Sequence, residues 1–366
     1  MAVVEAEDTI ELLRESVRGT LRRQWPVDQA VRLQRDPTAL RDAWQVAASQ
    51  GWTALGSQQT AAWAVIVEET GRAACPLPLR DGAAVAAALG SGAGPATAVL
   101  EQVAAGTAAV AVAIGTGGGE RGGGAVRSSA PVDGQVRLQG TARFVEGASV
   151  ITHLVLATDG EAPLALVECA AAGVTTVITP ALAGPLIDVR FDDASGRPLQ
   201  VAASVVGDMQ ALLRLGCIAR ALGAAGRSFE LAVDHARNRQ QFGSPIGRFQ
   251  AVQHRLSDGA IALDASRLLL RRAAAARDSG EERWRACADA ACAYGAPALR
   301  RVARDAQHVL AGVGYMEEHE APRHFRRVFA DTVRFGGAAA ARASLGAASL
   351  DAAAITTGSP DAGAIG

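Results

Sequence analysis

Residues Arg237–Asp258 read RNRQQFGSPIGRFQAVQHRLSD and interrupt two helical patterns. Upstream, MQALLRLGCIARALGAAGRSFELAVDHARNR (209–239) has apolar residues three and four positions apart, and the same period resumes in FQAVQHRLSDGAIALDASRLLLRRAAAA (249–276). Gln-Phe-Gly and Ser-Pro, which stand between the two patterns, are typical of turns and helix ends. The stretch therefore predicts a tight connection between two long antiparallel helices.

Two further helical patterns follow this turn. They are EERWRACADAACAYGAPALRRVARDAQHVL (281–310) and RHFRRVFADTVRF (323–335), the second leading into ARASLGAASL (341–350). Four long helices joined by short connections are typical of a helix bundle. We predict a bundle over 207–353, followed by a disordered Gly, Ser, Pro and Ala tail over 354–366.

The chain before the bundle has two kinds of sequence pattern. From Asp8 to about Gln102 the pattern is helical, as in DTIELLRESVRGTL (8–21) and WAVIVEETGRAA (63–74). From 110 to 206, short runs rich in Val, Thr and Leu are separated by Gly, Asp and Pro; they include VRLQGTARFV (136–145), ITHLVLAT (151–158), PLALVEC (163–169) and GVTTVIT (173–179). The sequence predicts a mostly α, α+β chain with a helical domain over 1–109 and a β domain over 110–206.

Composition excludes several classes of function. The 366 residues carry 36 basic and 37 acidic side chains, so no excess charge favours nucleic acid or an anionic membrane. All 36 bases are arginine, which excludes a phosphate-loop lysine and a Schiff-base lysine. Five scattered cysteines without a CxxC pair and a charged opening segment predict a reduced, cytoplasmic protein with no signal peptide, membrane span or metal site.

Two motifs carry a family resemblance. RxxFG at 239–243, followed by PI (245–246), FQ (249–250) and QHxLxD (253–258), resembles the signature that opens the C-terminal bundle of the acyl-CoA dehydrogenase family. AQHVLAGVGYMEEHEAPRHFRR (306–327) resembles that family's Q-x-x-G-G-x-G-[YF]-x-x-E segment and the basic helix after it. With the order helices, β unit, bundle, the resemblance covers nearly the whole chain. It implies a β-barrel or sandwich as the middle domain and a four-helix bundle after it.

The resemblance also implies a chemistry. In the family, an acyl-CoA thioester lies against the flavin of FAD, a carboxylate removes the α-proton, and the β-hydride passes to the flavin. Arg239 is then expected at the pyrophosphate or ribityl end of FAD, because a guanidinium fork binds phosphate by paired hydrogen bonds. Phe242 would pack on the cofactor and Gln250 would hydrogen bond to it, with the FAD belonging to a neighbouring subunit of an oligomer. The alternative is that Arg239 and Phe242 only cap and staple a helix turn.

The second motif departs from the family pattern. Gly312 and Gly314 match glycines whose backbone approaches the adenosine part of a neighbouring FAD. Ala311 replaces the first glycine of the motif, and His308 stands where the family has glutamine, with Gln307 one place earlier. We expect His308 either to contact the cofactor or to be a structural residue at a helix end.

Two further predictions follow from the resemblance. Arg214, which is 25 residues before Arg239, matches a family arginine near the acyl pocket, or else is an ordinary ion-paired arginine. In AVAIGTGGGERGGG (111–124), Thr116 is the candidate substitute for the family's Thr-Glu-Pro and Gly-Ser-Asp flavin contacts, although such a glycine run is more typical of a flexible surface loop.

The catalytic base is missing from both positions at which the family carries its glutamate. Counted from the matched motifs, these positions fall on Phe335 and Leu213, and neither side chain can take a proton. The nearby acidic residues occupy neither position; they are Asp208, Glu230, Glu317 and Glu318. RRVFADTVRFGG (326–337) resembles a bacterial branch in which two different subunits assemble, including enzymes that desaturate steroid side-chain CoA thioesters.

The sequence thus leaves three hypotheses. The first is an FAD-dependent acyl-CoA dehydrogenase subunit in fatty acid or steroid side-chain metabolism, with the glutamate supplied by a related subunit. The second is a structural subunit without FAD. The third is a flavoenzyme of the same fold that catalyses a different reaction, such as an oxidation or an elimination.

Overall fold

The computed structural model describes residues 2–55, 58–90, 95–114, 126–147, 150–181, 183–184 and 186–357. The predicted flavin contact Thr116 and most of the glycine-rich stretch around it lie outside these residues. Within the described part, the helices are α1 (Ala2–Gln24), α2 (Ala30–Leu33), α3 (Pro37–Ser49), α4 (Thr60–Arg72), α5 (Gly82–Gly90), α6 (Pro95–Ala104), α7 (Ala203–Asn238), α8 (Gln250–Asp278), α9 (Trp284–Leu310), α10 (Ala321–Asp331) and α11 (Gly337–Thr357). The strands are β1 (Val110–Ala113), β2 (Val126–Ser128), β3 (Val136–Val145), β4 (His153–Ala157), β5 (Leu164–Glu168), β6 (Val174–Thr179), β7 (Leu186–Pro198), β8 (Gln240–Gln241) and β9 (Ser244–Pro245).

Strands β1 to β7 form one curled sheet in the middle of the chain. Its order is β1-β4-β5-β7-β3-β2, with β6 also paired to β7; β1 and β4 are parallel, and the other pairs are antiparallel. The inner face is made by alternate residues, of which Leu138, Leu154, Val189 and Phe191 are completely buried. Together with the bundle described below, this sheet confirms the predicted fold class.

Helices α4 and α7 approach until their backbones touch, which joins the N-terminal helices to the bundle. A Cβ placed on Gly223 of α7 would lie 1.8 Å from the carbonyl oxygen of Glu68, and one on Gly71 of α4 would lie 1.9 Å from that of Arg220. No side chain fits at either position, so glycine is required by the close approach. The first turn of α4 is capped from the bundle, since Asp278 accepts hydrogen bonds from the amides of Thr60 and Ala61 at 2.8 and 2.9 Å.

The turn of Arg237–Asp258 lies at one end of the bundle. A small apolar cluster gathers the end of α7, the start of α8, the end of α9 and the start of α10 there; its buried members are Ala232, Ala236, Ala306, Val309, Leu310 and Ala321. This packing brings the two sequence motifs, more than 60 residues apart, to the same end of the molecule.

Two predictions about the end of the chain are corrected. The pattern from 323 to 350 is not one helix, because Phe335 has φ 52° and ψ 36° and breaks it into α10 and α11. Helix α11 continues to Thr357, so the predicted disordered tail overlaps its last turn at 354–357. The rest of that tail, 358–366, lies outside the described residues. No helix of the described part has both the length and the apolar character that crossing a membrane requires.

Candidate functional site

The connection between α7 and α8 is a β-hairpin. Strands β8 and β9 pair Gln240 with Pro245 and Gln241 with Ser244, leaving Phe242 and Gly243 as its two turn residues. Their φ angles are 53° and 76°, the sign that a type I′ turn requires at both positions. The first of these positions favours Asn, Asp or Gly, and a phenylalanine there is strained. The Phe242 side chain is 93% exposed, so burial within this chain does not account for the strain.

The predicted cofactor residues of the first motif surround this hairpin. Arg239 is exposed directly after α7, and within the described residues its guanidinium makes no hydrogen bond and no ion pair. Phe249 meets the Phe242 ring edge to face at 6.1 Å, and the exposed Gln250 is the first residue of α8. A guanidinium, an amide and two aromatic rings are therefore presented on one corner of the bundle.

The second motif forms the 3₁₀ turn Ala311–Tyr315 at the end of α9. Ala311 has φ 52° and ψ −135°, a conformation that glycine adopts much more readily. Buried Gln307 donates a hydrogen bond to the carbonyl of Gly314 at 2.7 Å. His308, in contrast, faces solvent, and no described atom lies within 4 Å of where a Cβ on Gly312 would stand.

Gly314 lies inside this turn. It is buried, and a Cβ there would meet Gln307 and Leu310 at 2.9 and 3.0 Å. Gly314 therefore has a packing role, whereas Gly312 and His308 are open to a ligand or to another subunit.

Basic side chains lie close together at this corner. Burial, followed by the charges of Arg239 and His319, lowers the pKa of His235 in the last turn of α7. A positive corner with forked donors suits an anionic group such as a pyrophosphate, and exposed aromatic rings suit the flat parts of a dinucleotide.

The two family base positions lie elsewhere, near the junction of the sheet and the bundle. Leu213 is completely buried in α7. The centroid of the Phe335 ring lies 5.2 Å from the guanidinium carbon of Arg80 and 5.4 Å from the guanidinium carbon of Arg334. Cation–π contact therefore replaces the carboxylate at this position.

A buried ionic cluster surrounds Phe335. We define the ionic cluster as Arg80, Asp81, Glu146, Arg220, Arg327, Asp331 and Arg334. It connects the segment before α5, the end of β3, α7 and the α10–α11 region. Sequence reasoning missed it, although Glu146 directly follows β3 and Arg220 lies two helical turns after Leu213.

Glu146 is the centre of the ionic cluster. Arg220 donates to it at 2.8 Å, Arg80 and Arg327 each approach it at 3.0 Å, and Arg334 lies 3.8 Å away. Burial raises the pKa of Glu146, but the arginines, led by Arg220 and Arg80, hold this pKa well below its usual value. Glu146 is therefore ionised at neutral pH and is a weak proton acceptor.

Asp331 and Asp81 complete the ionic cluster. Asp331 accepts from Arg220 through both oxygens at 2.6 and 2.8 Å, and Asp81 accepts from Arg80 at 2.7 Å and from the amide of Val112 at 3.0 Å. All three carboxylates are paired with arginines, which leaves none of them free to act as a base. Arg327 and Arg334 also donate to the carbonyls of Ala183 and Phe144, and within the described residues the Arg334 Nε is buried without a hydrogen-bond partner.

The remaining candidate residues make ion pairs. The Arg214 guanidinium donates twice to buried Asp289, at 2.7 and 3.1 Å. This contact agrees with the second interpretation of Arg214, an ordinary ion-paired arginine. Three of the four acidic candidates are also paired, Asp208 with Arg285, Glu230 with Arg72 and Arg227, and Glu317 with Arg326; Glu318 is exposed. None of the four lies in the ionic cluster.

The residues therefore fit an FAD in one place and not in the other. The exposed corner offers an unpaired guanidinium, aromatic rings and open backbone at Gly312. Around Phe335, the carboxylates are all paired with arginines and the base is absent, so this chain's own catalytic position does not fit the chemistry of proton removal.

Comparison with known proteins gives the family of the C-terminal part of the chain. Residues 204–350 match the acyl-CoA dehydrogenase C-terminal domain family. The mitochondrial short-chain specific acyl-CoA dehydrogenase of Bos taurus is 38% identical over 113 residues, which are 31% of this chain and 27% of that enzyme, so the match spans about a quarter of the relative's length.

Among solved structures, a variant of the Tcur3481–Tcur3483 steroid ACAD has a TM-score of 0.86 at 23% identity and covers 95% of this chain and 99% of that one. The ChsE4–ChsE5 complex from Mycobacterium tuberculosis has a TM-score of 0.82 at 22% identity, over 93% and 97% of the two chains. At these identities the likeness concerns the fold. By sequence, residues 204–350 of this chain belong to the acyl-CoA dehydrogenase C-terminal domain family, and the whole chain has the fold of these solved structures.

Proposed function

We propose that this chain is a subunit of an FAD-dependent acyl-CoA dehydrogenase that introduces an α,β double bond into an acyl-CoA thioester. A related subunit supplies the catalytic glutamate, and this chain supplies cofactor contacts to that subunit. The observation that carries the proposal is the exposed Arg239 guanidinium beside the strained, exposed Phe242.

Members of this family generally bind FAD, which when bound accepts the hydride that leaves the β-carbon. Arg239 would bind the pyrophosphate, and Phe242 would exclude water by packing on the cofactor. Gln250 and His308 would hydrogen bond to it, and the backbone at Gly312 would meet its adenosine part. Because all of these groups point away from their own chain, the FAD they hold is that of a neighbour.

Proton removal needs a carboxylate that this chain does not provide. Phe335 and Leu213 cannot accept the α-proton, and Glu146 is held ionised by four arginines, so protonating it would break the ionic cluster. This division of roles between unlike subunits supports a heteromer. A solved structure of the same fold is the ChsE4–ChsE5 complex. The steroid ACAD of the same fold suggests a steroid-derived acyl group as the first substrate to test.

The ionic cluster also favours the second candidate, a structural subunit without FAD. If the cluster marks a chain that has lost all contact with the cofactor, the corner at Arg239 would serve assembly alone. Flavin retention separates the two candidates, because only the first requires Arg239 for it.

The experiment is the flavin absorbance spectrum of the chain purified alone and co-expressed with a glutamate-bearing family member. We expect bound FAD to appear or increase with the partner, and Arg239→Ala to lower the flavin content while the two chains still co-purify. Arg41→Ala, which removes an exposed arginine of α3, is the control and should leave the flavin content unchanged. A complex that holds no flavin, or that holds it equally well with Arg239→Ala, would overturn the proposal.

A further inference from the structure

The helical N-terminal region contains a partly open cavity that none of the roles above uses. Its volume is about 280 Å³, and it lies between α3, α5, α6 and β1. Its main apolar walls are Trp44, Trp52, Leu79, Val85, Leu100 and Val103.

The polar groups of the cavity are few. Thr53 lines it, and within the described residues the Thr53 hydroxyl oxygen is buried without a hydrogen-bond partner. The indole N–H of Trp44 is already used, since it donates to the carbonyl of Ala108 at 3.1 Å. Among the described lining residues, Glu101 at the exposed side of α6 is the one charged group.

These features define a ligand. A buried hydroxyl without a partner costs free energy, which a hydrogen bond from a ligand removes. A dry cavity of about 150 Å³ accepts benzene, so about 280 Å³ suits roughly ten or eleven non-hydrogen atoms. Two indole rings and aliphatic walls favour a flat, apolar molecule, and Glu101 disfavours an anion.

We propose that this cavity is a binding site for a small, uncharged, bicyclic or similarly compact apolar alcohol whose hydroxyl pairs with Thr53. The site is separate from the corner at Arg239, so the proposal does not depend on the chain's role in flavin binding. Leu79 lines the cavity while the adjacent Arg80 belongs to the ionic cluster, so the two sites share only a short segment of chain.

The test uses 2-naphthol, naphthalene and 2-naphthoate with the full-length chain in isothermal titration calorimetry. We expect 2-naphthol to bind with one site per chain. Thr53→Val, which removes the hydroxyl at nearly constant volume, should weaken 2-naphthol roughly three- to tenfold and change naphthalene binding less than about twofold. The naphthoate should bind at least about tenfold more weakly than the alcohol because of Glu101.

A filling variant provides the matched control. Ala104→Leu on α6 places a larger side chain in the cavity and should abolish binding, with a melting temperature equal to or above that of the wild type. Ala98→Leu, on an exposed position of the same helix, should leave affinity unchanged. Absence of saturable binding, binding that survives Ala104→Leu, or naphthoate binding as tight as that of naphthol would overturn the assignment.

Discussion

Replacing Glu146 by glutamine tests the physical account of the ionic cluster. The change keeps the shape and one acceptor oxygen, replaces the other acceptor oxygen by an NH2 donor and removes the charge, so four guanidiniums would face two carboxylates in place of three. Three of the arginines lie 2.8 to 3.0 Å from Glu146. Removing one charge from a buried ion pair costs about 3–5 kcal/mol, so we expect a loss of about 3 kcal/mol or more.

That loss is a large part of the stability of an ordinary domain, which is about 5–15 kcal/mol. It should appear in urea unfolding at pH 7 as a lower midpoint at similar slope. Glu161→Gln, an exposed carboxylate in the turn between β4 and β5, is the control and should change the free energy of unfolding by less than about 0.5 kcal/mol.

The pH dependence gives a second readout. Because the pKa of Glu146 is lower in the folded state, its contribution is fully present above the unfolded value, near 4.5, and is lost as pH falls through the folded pKa. The wild type should therefore lose more stability than Glu146→Gln between about pH 4.5 and pH 3. A loss at pH 7 no larger than that of Glu161→Gln, with parallel pH profiles, would refute the view that Glu146 neutralises the arginines.

Three further substitutions test backbone features. Gly223→Ala should lower the free energy of unfolding by about 3 kcal/mol or more, because its Cβ would overlap the Glu68 carbonyl. Gly226→Ala on the same helix is its control: a Cβ there has open space around it, so this change should raise the free energy of unfolding by about 0.5–1 kcal/mol. Equal urea midpoints for the two variants would contradict the close-approach argument. Ala311→Gly should raise the free energy of unfolding by about 1 kcal/mol by relieving its backbone strain, and an unchanged or lower midpoint would count against strain there. Phe242→Gly should also stabilise the isolated chain by about 1 kcal/mol while lowering the flavin content of the co-expressed complex, and a variant that keeps its flavin would separate the ring from cofactor binding.

Local patterns predicted much of this fold. Strand β3 coincides with the quoted run 136–145, and the breaker residues after Arg239 became the hairpin between α7 and α8. Strand β7 lies in the predicted β region but was not among the quoted runs, and its apolar residues alternate with Asp and Arg. The break at Phe335 was missed because a left-handed phenylalanine has no pattern of its own.

The site was only half accessible from sequence. The spacing of residues within each motif predicted the cofactor contacts at Arg239 and His308, because each motif is a short, local stretch of sequence. The ionic cluster joins residues as distant as Arg80 and Asp331, and periodicity carries no information on such contacts. The pairing of Arg214 with Asp289 is likewise a tertiary contact, and the sequence around neither residue indicates it.

The glycine contact between α4 and α7 bears on how the molecule can be divided. The family match begins at residue 204, but the groove of α7 at Gly223 is filled by the backbone of α4, and Asp278 caps the amides of that same helix. Excised at 203, the bundle would expose a bare backbone strip on α7 and an uncompensated carboxylate on α8. The matched segment is thus a unit of ancestry rather than an autonomous folding unit, and fusions or truncations should keep residues from α4 onward.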